Sequence, residues 1–244
     1  MPASPSAALS RSAPWWMLVS RSLLFLLFQA LIALLLNLTG GASGWAGSVK
    51  WWLFAVILTN FVCVALLVFL FRAEGKRYLD LFRFSRPTLK LDLVWLFGVF
   101  IIGTPIMAAP MTFLAGAIFG DPSVPNATMF QPLPAWALAV GILFPLTIAL
   151  AELPTYFGYS MPRLAAQLKS GWLAWLLASF FLAAQHMFLP FVPDGRFILW
   201  RLGMFLPFAL FTGLVLKFRP TLLPYLVILH GLLDLSTWAV YFMV

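Results

Sequence analysis

"WWLFAVILTNFVCVALLVFLF", residues 51–71, runs for 21 residues without a charged side chain. The hydrocarbon core of a bilayer is about 30 Å thick, so a helix rising ~1.5 Å per residue needs about 20 apolar residues to cross it. This stretch meets that length. Working outward from it, similar runs lie at about 16–38, 92–119, 134–160, 171–190, 197–217 and 221–243, which gives seven spanning segments in all. The whole chain has 244 residues, 63% hydrophobic and 9% charged, against roughly 25% charged for a soluble domain. An ordinary cytosolic fold is excluded. The expectation is an all-α, polytopic transmembrane helical bundle forming a single membrane domain over residues 1–244, without internal repeats. The first run, with its core "LLFLLFQALIALLLNL" (23–38), is long for the apolar part of a signal peptide and reads as an uncleaved helix.

The net charge of +8 is not gathered into one stripe or tail, which argues against nucleic acid as a partner. Basic residues instead sit between the apolar runs, as topology signals do. The segment "RAEGKRYLDLFRFSRPTLK" (72–90) carries six of them, and "GDPSVPNATMFQPLP" (120–134) carries none. Putting the first on the cytoplasmic side puts Arg11, Arg21, Arg163, Lys169, Lys217 and Arg219 there too, leaving Lys50, Arg196 and Arg201 outside. The amino terminus is then cytoplasmic, in an integral, multi-pass protein of a bacterial inner membrane. Tyr78, Leu79, Leu81, Phe82 and Phe84 among the basic residues of 72–91 fit an interfacial helix touching anionic lipid, and equally a plain basic loop. The lone Cys63 excludes a disulfide within the chain.

Five of the seven acids (Glu74, Asp80, Asp92, Asp121 and Asp194) fall in loops or at helix ends. Glu152, His186, His230 and Asp234 fall within apolar runs of the carboxyl-terminal half. Ionisable groups in a bilayer are costly, face the bundle interior and pair with one another. Measured from the cytoplasmic helix ends, His230 lies roughly 14 Å deep, Glu152 roughly 16 Å and His186 roughly 22 Å, with Asp234 a turn beyond His230 on the same face. Those depths agree closely enough for tilt to absorb the difference. Pro154, two residues past Glu152, is expected to kink or end its helix and free backbone carbonyls there. Each group also has a bland reading: a packed histidine, an i,i+4 lock between His230 and Asp234, or a glutamate snorkelling to the headgroups.

A buried carboxylate and a neutral imidazole can hold a water between them and take its proton. A second imidazole, oriented by a carboxyl group one turn away, can donate to a developing oxyanion. That is a hydrolase site without a serine or cysteine nucleophile. Two histidines and two carboxylates also suit zinc, but the tight H-E-x-x-H spacing is missing, so a site without cofactor or metal is favoured.

Three stretches resemble the CAAX prenyl protease and bacteriocin-processing family (CPBP, or Abi), whose signatures are E-E-x-x-x-R-G, F-x-x-x-H and H-x-x-x-N/D. "ELPTYFGY" (152–159), "SFFLAAQH" (179–186) and "HGLLD" (230–234) align with them in order, over a family-like core of about 134–240. Leu153 stands where the second glutamate is expected, Phe157 where the arginine is, and Leu182 where the phenylalanine is; Gly158 and Tyr159 keep the common ending. The resemblance implies catalytic roles for all four groups: Glu152 as water-activating base with His186 beside it, and His230 with Asp234 stabilising the oxyanion. The expected activity is glutamate-type intramembrane peptidase action on a membrane-associated peptide or protein. The alternatives are a non-catalytic relative acting as membrane scaffold, chaperone or immunity protein, and a proton-linked transporter using the same four groups as a relay.

Overall fold

The computed structural model describes the backbone of residues 5–40 and 44–242, and side chains from residue 11 on. Among the described residues there is no strand, and seven helical segments are long and apolar enough to cross a membrane. They run Arg11–Leu38, Gly44–Ala73, Tyr78–Phe119, Ala135–Leu168, Gly171–Phe188, Gly195–Phe218 and Pro220–Phe242, matching the seven expected spans. Residue 243 of the seventh lies outside the described residues.

The helices are α1 (Pro5–Leu38), α2 (Gly44–Ser48), α3 (Trp52–Ala73), α4 (Leu89–Phe119), α5 (Val124–Met129), α6 (Ala135–Gly141), α7 (Leu143–Leu153), α8 (Met161–Leu168), α9 (Gly171–Gln185), α10 (Gly195–Phe218) and α11 (Leu223–Ala239). Between α7 and α8 the chain widens into a π-type turn, Pro154–Ser160. α7 packs between α3 and α11, α10 packs between α4 and α9, and α1 closes on α3 and α9. The π turn is the hub where α1, α3, α9 and α11 meet.

α1 shows how the bundle is sorted. Met17, Arg21, Phe25, Gln29 and Ala33, every fourth residue, are buried, while Leu23, Leu27, Leu31 and Leu34 are exposed. Lipid removes any need to hide leucine, so the outward face is apolar and the inward stripe carries the polar groups. Small residues allow close approach elsewhere. A Cβ at Gly231 of α11 would lie 3.2 Å from the Ala149 Cβ of α7. A Cβ at Gly213 of α10 would collide with Ser179 and come within 2.7 Å of the Phe157 ring.

The segment 72–91 is neither one interfacial helix nor a free basic loop. Two short 3₁₀ turns, Tyr78–Phe82 and Arg86–Thr88, drape it over the end of the bundle. Tyr78 is buried there while Leu79 and Phe84 are exposed. Gly75, at φ +71°, lets the chain leave α3 in the left-handed region. The end is pinned by Arg163, whose Nε donates to Glu74 at 2.6 Å and whose guanidinium lies 3.8 Å from the Tyr159 ring centroid. Asp92, in the first turn of α4, accepts from Arg219 at 2.6 Å and Thr221 at 2.9 Å, tying α4 to the α10–α11 turn.

Candidate active site

Glu152 is the penultimate residue of α7, and the local sequence explains why the backbone opens just beyond it. Pro154 has no N–H for the Leu150 carbonyl four residues back. That carbonyl accepts instead from the Tyr78 hydroxyl, and Thr155 Oγ1 donates to Ala151 O at 2.6 Å. The freed carbonyls expected from Pro154 are therefore present and satisfied by side chains. The helical path does not end at Pro154; it widens through the π turn and continues as α8. Such turns are rare and are frequently found at functional sites.

His186 follows the last residue of α9, in a 3₁₀ turn His186–Phe188. α9 has 15 residues, about 22 Å of helix, which is short of the ~30 Å hydrocarbon thickness. Non-helical backbone must follow, and at that depth it needs donors from the protein. Arg201 of α10 donates to His186 O at 3.0 Å and to Leu189 O at 2.5 Å. Gln29 donates to Phe191 O at 3.0 Å and accepts from its N–H at 2.7 Å. The His186 ring stacks on Phe205 with centroids 3.5 Å apart. His230 and Asp234 sit on one face of α11, brought against α7 by the close approach at Gly231.

The structure brings all four expected residues together. Glu152 Oε1 lies 3.3 Å from His230 Nε2, and Glu152 Oε2 lies 3.8 Å from His186 Nε2. Asp234 Oδ2 lies 3.2 Å from the same His230 nitrogen. The i,i+4 contact within α11 is thus real, but it is not a closed lock, because His230 also faces Glu152. Nor does Glu152 snorkel: it is buried. His186 Nδ1 is 2.9 Å from Leu182 O. A carbonyl only accepts, so Nδ1 carries the hydrogen, and the Nε2 of a neutral ring faces Glu152 as an acceptor. Two acceptors 3.8 Å apart cannot bond each other, but a water, with two hydrogens, satisfies both. Among the described residues no group of three or more His, Cys, Asp or Glu side chains converges in a way that would hold a metal ion.

Three further groups support the site: Arg21, Arg201 and Gln185. Arg21 and Arg201, which read as cytoplasmic and external topology signals in the sequence, are both buried. Arg21 lies within 3.6 Å of Glu152 Oε2. The signal was legible in Trp15 and Trp16, both exposed. Tryptophans mark the membrane interface, so a residue five positions further along a helix is already about 7 Å inside. Gln185 donates to Glu152 Oε2 at 2.8 Å and, being uncharged, leaves no signal in the sequence. Leu153 and Phe157 are buried apolar residues, with Phe157 seated against Gly213.

Between α4, α10 and α11 lies a narrow apolar cleft with a cavity of about 30 Å³, lined by Val99, Gly103, Phe211, Leu226, Leu233 and His230 among others. His230 is its one ionisable wall. The chain matches no protein-family model, no curated protein and no solved structure.

Proposed function

We propose that this chain is an intramembrane endopeptidase, a divergent relative of the CAAX prenyl protease and bacteriocin-processing family. The observation that carries the reading is the Glu152 carboxylate, buried at a π turn and faced by the imidazoles of His186 and His230. In this mechanism Glu152, with His186, takes a proton from a water as its oxygen bonds to the scissile carbonyl carbon. The carbonyl electrons move onto oxygen, where His230, oriented by Asp234, donates to the oxyanion. The intermediate collapses, the C–N bond breaks, and Glu152 returns its proton to the leaving amine. The products are a carboxylate and an amine, with no acyl-enzyme and no step through a metal. The cleft at His230 has room for a water, and in this reading a membrane-associated peptide or protein segment reaches the site from that side as α4, α10 and α11 part.

The same reading sets the basic end of the bundle at the cytoplasmic face of a bacterial inner membrane. With Arg21 and Arg201 removed as buried groups, eleven basic residues remain on that side and two on the other, so the asymmetry holds.

The test compares membrane-protein termini in native-host cells carrying wild type, Glu152→Gln or a deletion. Termini lost equally in Glu152→Gln and the deletion support the protease. Wild-type termini in Glu152→Gln, with a changed deletion strain, reject it in favour of a non-catalytic scaffold, chaperone or immunity protein. That second reading is favoured by one observation: Leu153 and Phe157 are integrated into the apolar core.

A further inference from the structure

α1 lies outside every motif the chain shares with the family, yet its inward stripe reaches the site. Arg21 is fully buried. Its Nε donates to Gln185 Oε1 at 2.6 Å and its Nη1 to Asn60 Oδ1 at 2.9 Å. Its Nη2 is buried without a hydrogen-bond partner, 3.6 Å from Glu152 Oε2. The Phe25 ring lies 5.2 Å from the guanidinium carbon.

The two amides leave no freedom of assignment. Gln185 must turn its oxygen to the guanidinium, a pure donor, and its nitrogen to the Glu152 carboxylate, a pure acceptor. Asn60 likewise gives its oxygen to Arg21 and its nitrogen to Thr147 Oγ1, at 3.1 Å on α7. One polar chain therefore joins α1, α3, α7 and α9 around a single carboxylate oxygen. Glu152 is the only carboxylate within ion-pair distance of Arg21 among the described residues. The other ionisable groups facing Glu152 are His186, His230 and Asp234, with Arg201 and Tyr156 further out and Cys63 beside Arg21. A buried guanidinium without a counter-charge is strongly destabilising.

We propose that Arg21 is the positioning residue of Glu152. It supplies the counter-charge and, through Gln185, holds Oε2, which leaves Oε1 directed at His230. The amino-terminal helix thereby belongs to the site. The catalytic part of this inference rests on the endopeptidase reading; the pairing of Arg21 with Glu152 does not.

The experiment is a double-mutant cycle on thermal unfolding of the full chain in detergent, with the same variants scored for membrane-protein termini in host cells. Arg21→Met and Glu152→Gln each strand a buried charge and are expected to lower Tm by on the order of 10 °C. The double variant, with neither charge, recovers most of that loss. Losses that simply add overturn the pairing. If Arg21→Met alone does not fold, a folded double variant still supports the pairing, and an unfolded one overturns it. Arg21→Lys keeps the charge but not the fork that reaches both amides. It is expected to stay within a few degrees of wild type in Tm, while termini fall at least about tenfold. Wild-type termini in Arg21→Lys overturn the positioning role. Unchanged termini in Glu152→Gln defeat the endopeptidase reading instead, while the Tm cycle still decides the pair.

Discussion

Glu152 faces two imidazoles through different oxygens, and the division of labour predicts different costs for each neighbour. On the endopeptidase reading, Glu152→Gln preserves shape and the contact with Gln185 but cannot take a proton, so cleavage per folded molecule is expected to fall by at least about 100-fold, beyond any loss of protein from its lowered Tm. His186→Ala is expected to be nearly as severe. Asp234→Asn retains an oxygen for the His230 nitrogen and is expected to keep most activity. Loss of cleavage in Asp234→Asn, scored by the same termini, would show that Asp234 acts through its charge. At position 157, arginine would match the signature of the proposed family, but the ring occupies a notch that exists only because Gly213 lacks a side chain. Phe157→Arg would bury a guanidinium with no partner in that notch and is expected to yield little folded protein, whereas Phe157→Leu costs about 1–2 kcal/mol. A well-folded, stable Phe157→Arg would mean the notch admits a cation after all.

Elements matter here through their interruptions. α7 must open after Glu152, and α9 must stop at Gln185, for the two side chains to meet. Both breaks are paired by side chains from other elements: Tyr78 on the Leu150 carbonyl, and Arg201 and Gln29 beyond His186. Tyr78→Phe removes the donor to a buried carbonyl and is expected to destabilise by about 1–3 kcal/mol in reversible unfolding. A neutral result would show that the π turn satisfies its own backbone. Gly231→Leu acts on spacing instead. It forces α11 away from α7, separates His230 from Glu152, and is expected to remove cleavage while the protein still purifies as a folded monodisperse species. Full activity in Gly231→Leu would dissociate catalysis from the α7–α11 contact.

For the whole molecule, charge is segregated to one end, and that end is tied by ion pairs. The Arg163 guanidinium bonded to Glu74 holds the Glu74 carboxyl below its ordinary value of 4.5. A depressed carboxylate pKa contributes stability that is fully present above the ordinary value and is lost as pH falls through the depressed one. Tm differences between wild type and Glu74→Gln are therefore expected at pH 7 and should close toward pH 3. A gap that stays constant across the range would assign the effect to packing. Orientation is tested in a Cys63→Ala background with single cysteines at Leu79 and Val124, both exposed. An impermeant maleimide on intact cells is expected to label Val124→Cys at once and Leu79→Cys only after permeabilisation; the reverse pattern inverts the topology.

The spans were legible because bilayer thickness dictates their length, and Glu152, His186, His230 and Asp234 were legible because an ionisable group in an apolar run is costly and has to find a partner. Neither depends on which helix touches which. Arg21 and Arg201 were not legible as site residues, because an arginine near the start of a span looks the same whether it reaches headgroups or a buried carboxylate. Gln185 and Asn60 were invisible for a related reason: an uncharged amide is tolerated in many settings and acquires its role only from the donor and acceptor on either side. Sequence alone determined the all-α membrane architecture and the ionisable groups it had to enclose. Tertiary structure decided the partner of each, since a counter-charge or a capping donor acts across a few ångströms of space and the chain distance between Arg21 and Glu152 carries no trace of it.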